Sequence, residues 1–528
     1  MVIEQKENKM ADAVAPEIFI GLCGAVGTDM DVVRSELERN LAPLGIRAIH
    51  VKASELIAEA KGVPEVVGEN ERIKAYMKSG NAIREDLGKG DGVARLAVAR
   101  IRKEREKLTR SETDPSPDTA YIINSLKHPD EYEMLSRLYG DAFLMISVYE
   151  ARESRHKNLC QKIARSNLVH DSDTYKSEAS ELIDLDQDDA EALGQSVRDV
   201  FPLGDVFLEI GPLFPRQMKR AVSLFMGAPF ITPNIDEYGM FHAHSVAVRS
   251  ADLSRQVGAV ISTKCGDVLA MGCNEVPRVG GGAYWEDYEG EIEDRRDFKI
   301  GYDSTSAIKK ELISEIVDEF KKAKGWLPAA YQKRDTSEIA DELISKNGPV
   351  SLSGKRISSI LEYGRIVHAE MSALMDAARR GEAVESQTLY CTTFPCHMCA
   401  RHIISAGIDR VVYVEPYPKS LAKRLYPREI SLDGDGSADQ SAVQFEPFVG
   451  IAPKRFMAWF KSGNRKDSLG FALANQPQIS ARKIALQDAD RTSDEASVVA
   501  SLDIYKKKNP KPKSKQQANR GKKNGAKS

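Results

Sequence analysis

Short apolar runs recur along the first 225 residues, each followed by a longer polar stretch with helical spacing. Glu17-Ile-Phe-Ile-Gly-Leu22 reads as a buried strand, and a glycine-containing loop, Cys23-Gly24-Ala25-Val26-Gly27-Thr28, follows it. Val33, Leu37 and Leu41 then recur at helical spacing until Pro43 and Gly45 stop the helix ahead of an Ile46–Val51 strand, which completes one βαβ unit. Further strands are expected at Ala120–Ile123, Ala142–Ile146 and Val206–Ile210. Strands alternating with helix-compatible stretches predict a doubly wound, largely parallel sheet over residues 17–225.

Pro229, Thr232-Pro233-Asn234 and Gly239 punctuate the chain and mark a linker over 226–240. A second series begins with Gly258–Ser262 and Val268–Met271, paired as a hairpin around Gly266-Asp267, and continues at Thr388–Cys391 and Val411–Val414. The second domain is expected over 241–470. An insertion at about 280–360 interrupts it and contains an amphipathic helix with Ile308, Leu312, Ile316 and Phe320 one turn apart, closed by Gly325. Residues 1–16 read as a loose leader and 471–528 as a polar region whose end, from Tyr505, is too poor in apolar residues to fold.

Composition narrows the function classes. The 528 residues are 42% hydrophobic and 29% charged, too long for one ordinary core and typical of a soluble multidomain protein. No window approaches the length and apolarity of a membrane span, and the first residues lack an apolar signal core, so a cytoplasmic protein without membrane contact is expected. Seven cysteines scattered over such a chain describe reduced thiols, some on a metal, rather than a disulfide framework. The formal net charge of −3 hides ten Lys or Arg and no acid after Asp503, so an acidic body carries a basic tail. That tail could contact RNA or another acidic partner, but the acidic body is not that of a general nucleic-acid binder.

The sharpest chemical signal is His368-Ala369-Glu370 followed by Pro395-Cys396-His397-Met398-Cys399. This is the H-x-E…P-C-x-x-C pattern of zinc nucleobase deaminases. Cys396 and Cys399 stand three apart at the start of a helix ended by Gly407, where they share a face and the helix dipole favours thiolates. With His368 they would give Zn²⁺ three protein ligands and leave its fourth position to water, as in catalytic sites. Glu370, at the mouth of a helix ended by Gly381, is placed to carry protons. A lone Cys-x-x-Cys is more often a packed pair or part of a structural zinc site, but here no second Cys-x-x-Cys exists and the His-x-Glu precedes it.

At these residues the sequence resembles the cytidine and deoxycytidylate deaminase superfamily, and over 240–460 its dCMP deaminase branch. The matching stretches are Arg255-Gln-Val-Gly-Ala-Val-Ile261, Gly272-Cys273-Asn274-Glu275, His368-Ala-Glu-Met-Ser-Ala-Leu374 and Ala406-Gly-Ile-Asp-Arg-Val-Val-Tyr413. The resemblance implies an α/β/α sandwich of the cytidine-deaminase kind for the second domain and, for Asn274, contact with the sugar or base of a deoxycytidine nucleotide, with Arg255 also on the substrate side. Cys273 and Glu275 depart from the aromatic and glycine usual there, and a turn role before Pro277 is the competing reading of Asn274. Over residues 17–460 the order of domains resembles the bacterial anti-phage dCTP deaminase family, which implies a homo-oligomeric enzyme that drains the dCTP pool during infection.

The first domain is similar to nucleotide kinases, with a P-loop-like turn at Gly24, Ala25, Val26, Gly27 and Thr28. If Gly24 opens a P-loop, the terminal Gly-Lys-Ser/Thr falls on Asp29-Met30-Asp31, so the lysine is missing and two carboxylates stand where phosphate would approach. A degenerate domain without phosphoryl transfer is therefore expected, with Arg152 and Arg155 as candidate phosphate contacts. Two other functions compete with nucleotide deamination: a polynucleotide deaminase, supported only by the basic tail, and a regulatory nucleotide-binding protein with a structural zinc, against which Glu370 argues.

Overall fold

The computed structural model describes residues 17–63, 68–187, 196–286, 293–323, 325–346, 348–355, 357, 360, 363–417, 420–432, 441–461, 464–473 and 488–508. The expected leader and the tail beyond residue 508 lie outside them. The chain divides into two compact units, Met1–Pro233 with Val449–Ser528, and Asn234–Phe448. No described helix is long and apolar enough to cross a membrane.

In the first unit, strands β1 (Ile18–Gly24), β2 (Arg47–Lys52), β3 (Thr119–Asn124), β4 (Phe143–Tyr149) and β5 (Val206–Glu209) form a parallel sheet in the order β2-β3-β1-β4-β5. Alternate residues feed two cores. Phe19, Tyr121 and Met145 face one layer of helices, and Ile18, Ile20, Ile122 and Ile146 the other. Burial on both faces explains why these strands read as continuous apolar runs. The helix Met30–Leu41 buries Val33, Leu37 and Leu41, the stripe its spacing predicts. Because β1 is flanked by β3 and β4, the crossovers leave it in opposite directions and open a crevice at its carboxyl end.

The end of the chain, from Val449, departs from expectation. Residues from Val449, placed by sequence in the second domain up to 470, belong to the first unit: Gly450–Ile451 pairs antiparallel with β5, and the helix Pro453–Phe460 sets Trp459 into its core. The helix Asp488–Lys508 continues past Tyr505, where a structureless tail was expected, and adds Leu502 to the core of the first unit. Its anchor is electrostatic. Arg105, fully buried, donates to Glu17 (2.9 and 3.0 Å) and to Glu495 (2.7 and 3.0 Å). Mean composition hides this, because a polar helix tied down by one buried cation has little apolar stripe to read.

The second unit is a mixed sheet of β6 (Gly258–Ser262), β7 (Val268–Cys273), β8 (Thr388–Thr393), β9 (Arg410–Glu415), β10 (Ile430–Leu432) and β11 (Val443–Pro447), in the order β7-β6-β8-β9-β11-β10. β6 pairs antiparallel with β7 as a hairpin and with β8; the other neighbours are parallel. Helices Ala369–Arg380 and His397–Ser405 pack on one face through Ala373, Ala377, Ala400 and Ile403. Helix Ile235–Ala247 covers the other. Two glycines permit the close approach: a Cβ on Gly258 would lie 1.9 Å from the Ala243 carbonyl oxygen, and one on Gly272 2.3 Å from the Ala373 nitrogen.

The insertion holds the expected amphipathic helix at Ser304–Lys322, but its inner face differs. Ile313 and Val317 are buried against Ile339 and Ala340, while Ile316 and Phe320 are exposed and Phe320 stacks on Trp326. Apolar residues cover more than one stripe of this helix, and the position of the small neighbouring helix Thr336–Ile344 selects which is buried.

Candidate functional site

Two helix starts converge beside the carboxyl ends of β8 and the hairpin. His368 is the N-cap of Ala369–Arg380 and Cys396 the N-cap of His397–Ser405, both in extended backbone, and Gly381 ends the first helix in the left-handed conformation. Cys399 lies one turn into the second helix, fully buried. The His368 Nδ1 atom is 3.3 Å from the Sγ of Cys396 and 3.3 Å from the Sγ of Cys399. Tetrahedral zinc with Zn–N near 2.0 Å and Zn–S near 2.3 Å requires N and S roughly 3.5 Å apart, so the donor set and its spacing fit a zinc site. The two helix dipoles point their positive ends at the thiols. Hydrogen bonds from Cys399 and His368 hold the Cys396 thiol below its ordinary value.

Glu370 occupies the first turn of its helix and is only 4% exposed. Burial pushes its carboxyl above the ordinary value, and the neighbouring Cys396 adds to the effect. Glu370, His368 and Cys396 line a common cavity of about 210 Å³. A buried carboxyl on the wall of the cavity that His368 and Cys396 also line, beside a three-donor His-Cys-Cys set, is the equipment of a metal-assisted hydrolysis rather than of a closed structural site.

Arg255 and Asn274 line the same cavity. The Asn274 Oδ1 accepts from the Val257 N–H at 2.7 Å and its Nδ2 donates to the Arg255 carbonyl at 2.8 Å, so this amide clamps the segment that carries Arg255. The Arg255 guanidinium lies 3.5 Å from Glu415 and over the Tyr417 ring. Motif spacing gave no sign of the residues contributed by the insertion: Asp303, Thr305 and Lys309, at the start of its long helix, form part of the cavity wall. Phe394, also on that wall, meets Tyr413 edge to face.

In the first unit Gly24, Ala25, Val26, Gly27 and Thr28 line a separate cavity of about 340 Å³. Gly27 is left-handed, and a Cβ there would lie 2.6 Å from the Arg155 carbonyl oxygen. Neither arginine suggested by sequence reaches this cavity. Arg155 is buried and donates to the carbonyls of Glu150 (3.0 Å) and Val26 (3.2 Å), bracing the loop from behind, while Arg152 pairs with Asp184 at the surface.

The profile of the cytidine and deoxycytidylate deaminase zinc-binding region matches residues 233–415. Deoxycytidylate deaminase of Enterobacteria phage T2 is 44% identical over 54 residues, 10% of this chain and 29% of that protein. The ComE operon protein 2 of Bacillus subtilis is 40% identical over 53 residues, 10% of this chain and 28% of that protein. The chain thus aligns with less than a third of the length of these relatives. Among solved structures, the dCMP deaminase of cyanophage S-TIM5 in complex with dCMP and dUMP overlaps 42% of this chain and all of its own, at 17% identity and a TM-score of 0.22. With the His-Cys-Cys cluster inside the matched stretch, the chain contains a zinc-binding deaminase domain of the cytidine and deoxycytidylate type.

Proposed function

We propose that the second unit hydrolyses the exocyclic amine of a deoxycytidine nucleotide, converting dCMP, dCTP or both to the deoxyuridine nucleotide and ammonia. The observation that carries this reading is the buried Glu370 sharing one small cavity with the His368, Cys396 and Cys399 cluster. His368, Cys396 and Cys399 would hold the metal, which when bound makes water a nucleophile near neutral pH. Glu370 takes the first proton that the attacking water loses and gives it to N3 of the ring, then takes the second, from the new C4 hydroxyl, and gives it to the amine, which departs as ammonia while the C4 carbonyl forms. Its raised pKa suits both steps, since it makes the carboxylate a stronger base toward the attacking water and keeps the acid form populated closer to neutrality, where the ring nitrogen and the amine are to be protonated.

Binding would be divided along the cavity. Phe394 offers the base an apolar wall, Asn274 fixes the 255–257 segment, and the cations Arg255 and Lys309 stand where phosphates of a nucleotide can be met. A role in antiviral defence, by depletion of the dCTP pool, is supported by the resemblance of the domain order to anti-phage dCTP deaminases. Incubating the zinc-loaded protein with deoxycytidine, dCMP, dCTP, CTP, single-stranded DNA and RNA tests the reading. Ammonia and a deoxyuridine nucleotide from dCMP or dCTP are expected. Turnover of a polynucleotide alone, or of none of these, overturns it.

A further inference from the structure

The loop of the first unit holds an anion already, and that anion belongs to the protein. The Val26 N–H donates to Asp186 Oδ2 at 2.6 Å, and the Lys127 ammonium donates to Asp186 Oδ1 at 2.9 Å and to the Gly24 carbonyl at 3.0 Å. Asp186 is fully buried. A backbone amide of a glycine-containing turn and a lysine ammonium, meeting at the carboxyl end of a central parallel strand, are the groups that bind phosphate in α/β folds. The lysine absent from the loop itself, where Met30 stands, is thus supplied from the segment after β3.

We propose that Asp186 is an internal substitute for a phosphate group, and that a phosphate-bearing ligand binds the Gly24–Thr28 loop by displacing it. Two observations support displacement rather than a permanent ion pair. Thr28 is 4% exposed, yet its Oγ1 has no hydrogen-bond partner among the described residues, although it lies on the wall of this cavity. A buried hydroxyl without a partner is costly, and a phosphate oxygen seated beside Val26 would accept its proton. Of the six Lys or Arg side chains that line the cavity, Arg34, Lys52, Arg72 and Arg84 are each paired with another carboxylate, which leaves Lys127 and Lys162, two cations, to the single charge of Asp186. A phosphate dianion would attract Lys127 more strongly than the single carboxylate charge does.

The shared chemistry is an oligophosphate, whether free or carried by a nucleotide. Calorimetric titration of the full-length protein with sodium tripolyphosphate and, separately, with ATP would test the proposal on the wild type, Asp186→Ala, Asp186→Asn, and Asp186→Ala combined with Lys127→Met. Asp186→Ala is expected to bind tripolyphosphate at least about tenfold more tightly than the wild type, and Lys127→Met to abolish that gain. Asp186→Asn keeps the size and the acceptor for Val26 but not the charge, so it should show a smaller gain and serves if the alanine variant does not fold. Equal gains for both probes mean that the phosphate chain alone is read, and a larger gain for ATP that a nucleotide is; both support the proposal. No gain in either folded Asp186 variant, or a gain that survives Lys127→Met, overturns it.

Discussion

Replacing Glu370 with Gln removes one ionisable oxygen from the deaminase cavity and changes little else. The side chain is 4% exposed and its amide isostere fills the same space, so packing around Ala369, Ala373 and Cys399 is kept. His368, Cys396 and Cys399 are untouched, and zinc content should equal that of the wild type. The loss is the proton carrier. Positioned acid–base catalysis is worth about two to four orders of magnitude, and near-complete burial leaves no bulk water to substitute, so the upper part of that range is expected. At about 1.4 kcal/mol per decade this is about 4–5.5 kcal/mol on the barrier. Ammonia release from dCMP and dCTP, with zinc measured by atomic absorption on the same samples, reads the effect. Burial and the Cys396 charge raise the Glu370 pKa, and the ionised form is the one that accepts the first proton. Wild-type kcat should therefore fall as pH drops through a value above the ordinary 4.5 of Glu, and the variant should lose that limb. A Gln variant turning over within about threefold of wild type at equal zinc would refute the reasoning, because removing a proton carrier costs at least about two decades.

Cys396→Ser should lower zinc occupancy steeply, since a soft thiolate is exchanged for a hydroxyl, and full occupancy by atomic absorption would exclude Cys396 as a ligand. Lys309→Ala should raise KM for dCMP or dCTP several-fold with kcat nearly unchanged, while leaving KM for deoxycytidine unaffected, as expected of a group that meets phosphate only in binding. Arg105→Ala leaves the buried Glu17 with Arg491 and strips the buried Glu495 of its Arg105 partner, and should destabilise the first unit by about 3–5 kcal/mol in urea titrations. Burial alone would raise the Asp236 pKa, but the Arg410 and Tyr390 hydrogen bonds outweigh it and hold it below the ordinary 3.8. Asp236→Asn should therefore cost about 1 kcal/mol at pH 7. That difference should vanish as pH falls below 3.8 through the folded-state pKa, as urea midpoints across pH would report.

Both sheets and the metal cluster were legible in the chain because their signals are local. Apolar runs bounded by glycine and proline place β1 to β9 close to their observed positions, as burial of a strand on two faces leaves no polar alternation to confuse the reading. The Cys-x-x-Cys spacing lies within a single helical turn, so the fold needed only to bring His368 to it. Short strands β10 and β11 carry too few residues for a pattern, and the inner face of Ser304–Lys322 was misread because its partner helix, not its own periodicity, chooses the stripe.

What the sequence determined by itself was therefore the chemistry of one site: ligand types, their order and the carboxyl beside them. Only tertiary structure decided which distant groups join it. Lys309 enters the cavity from an insertion some sixty residues before His368, and Lys127 and Asp186 reach the Gly24–Thr28 loop across separations of 103 and 160 residues. Val449–Phe460 and Asp488–Lys508 return to the first unit for the same reason. Contacts of that range depend on how helices and strands stack, and no window of neighbouring residues encodes the stacking.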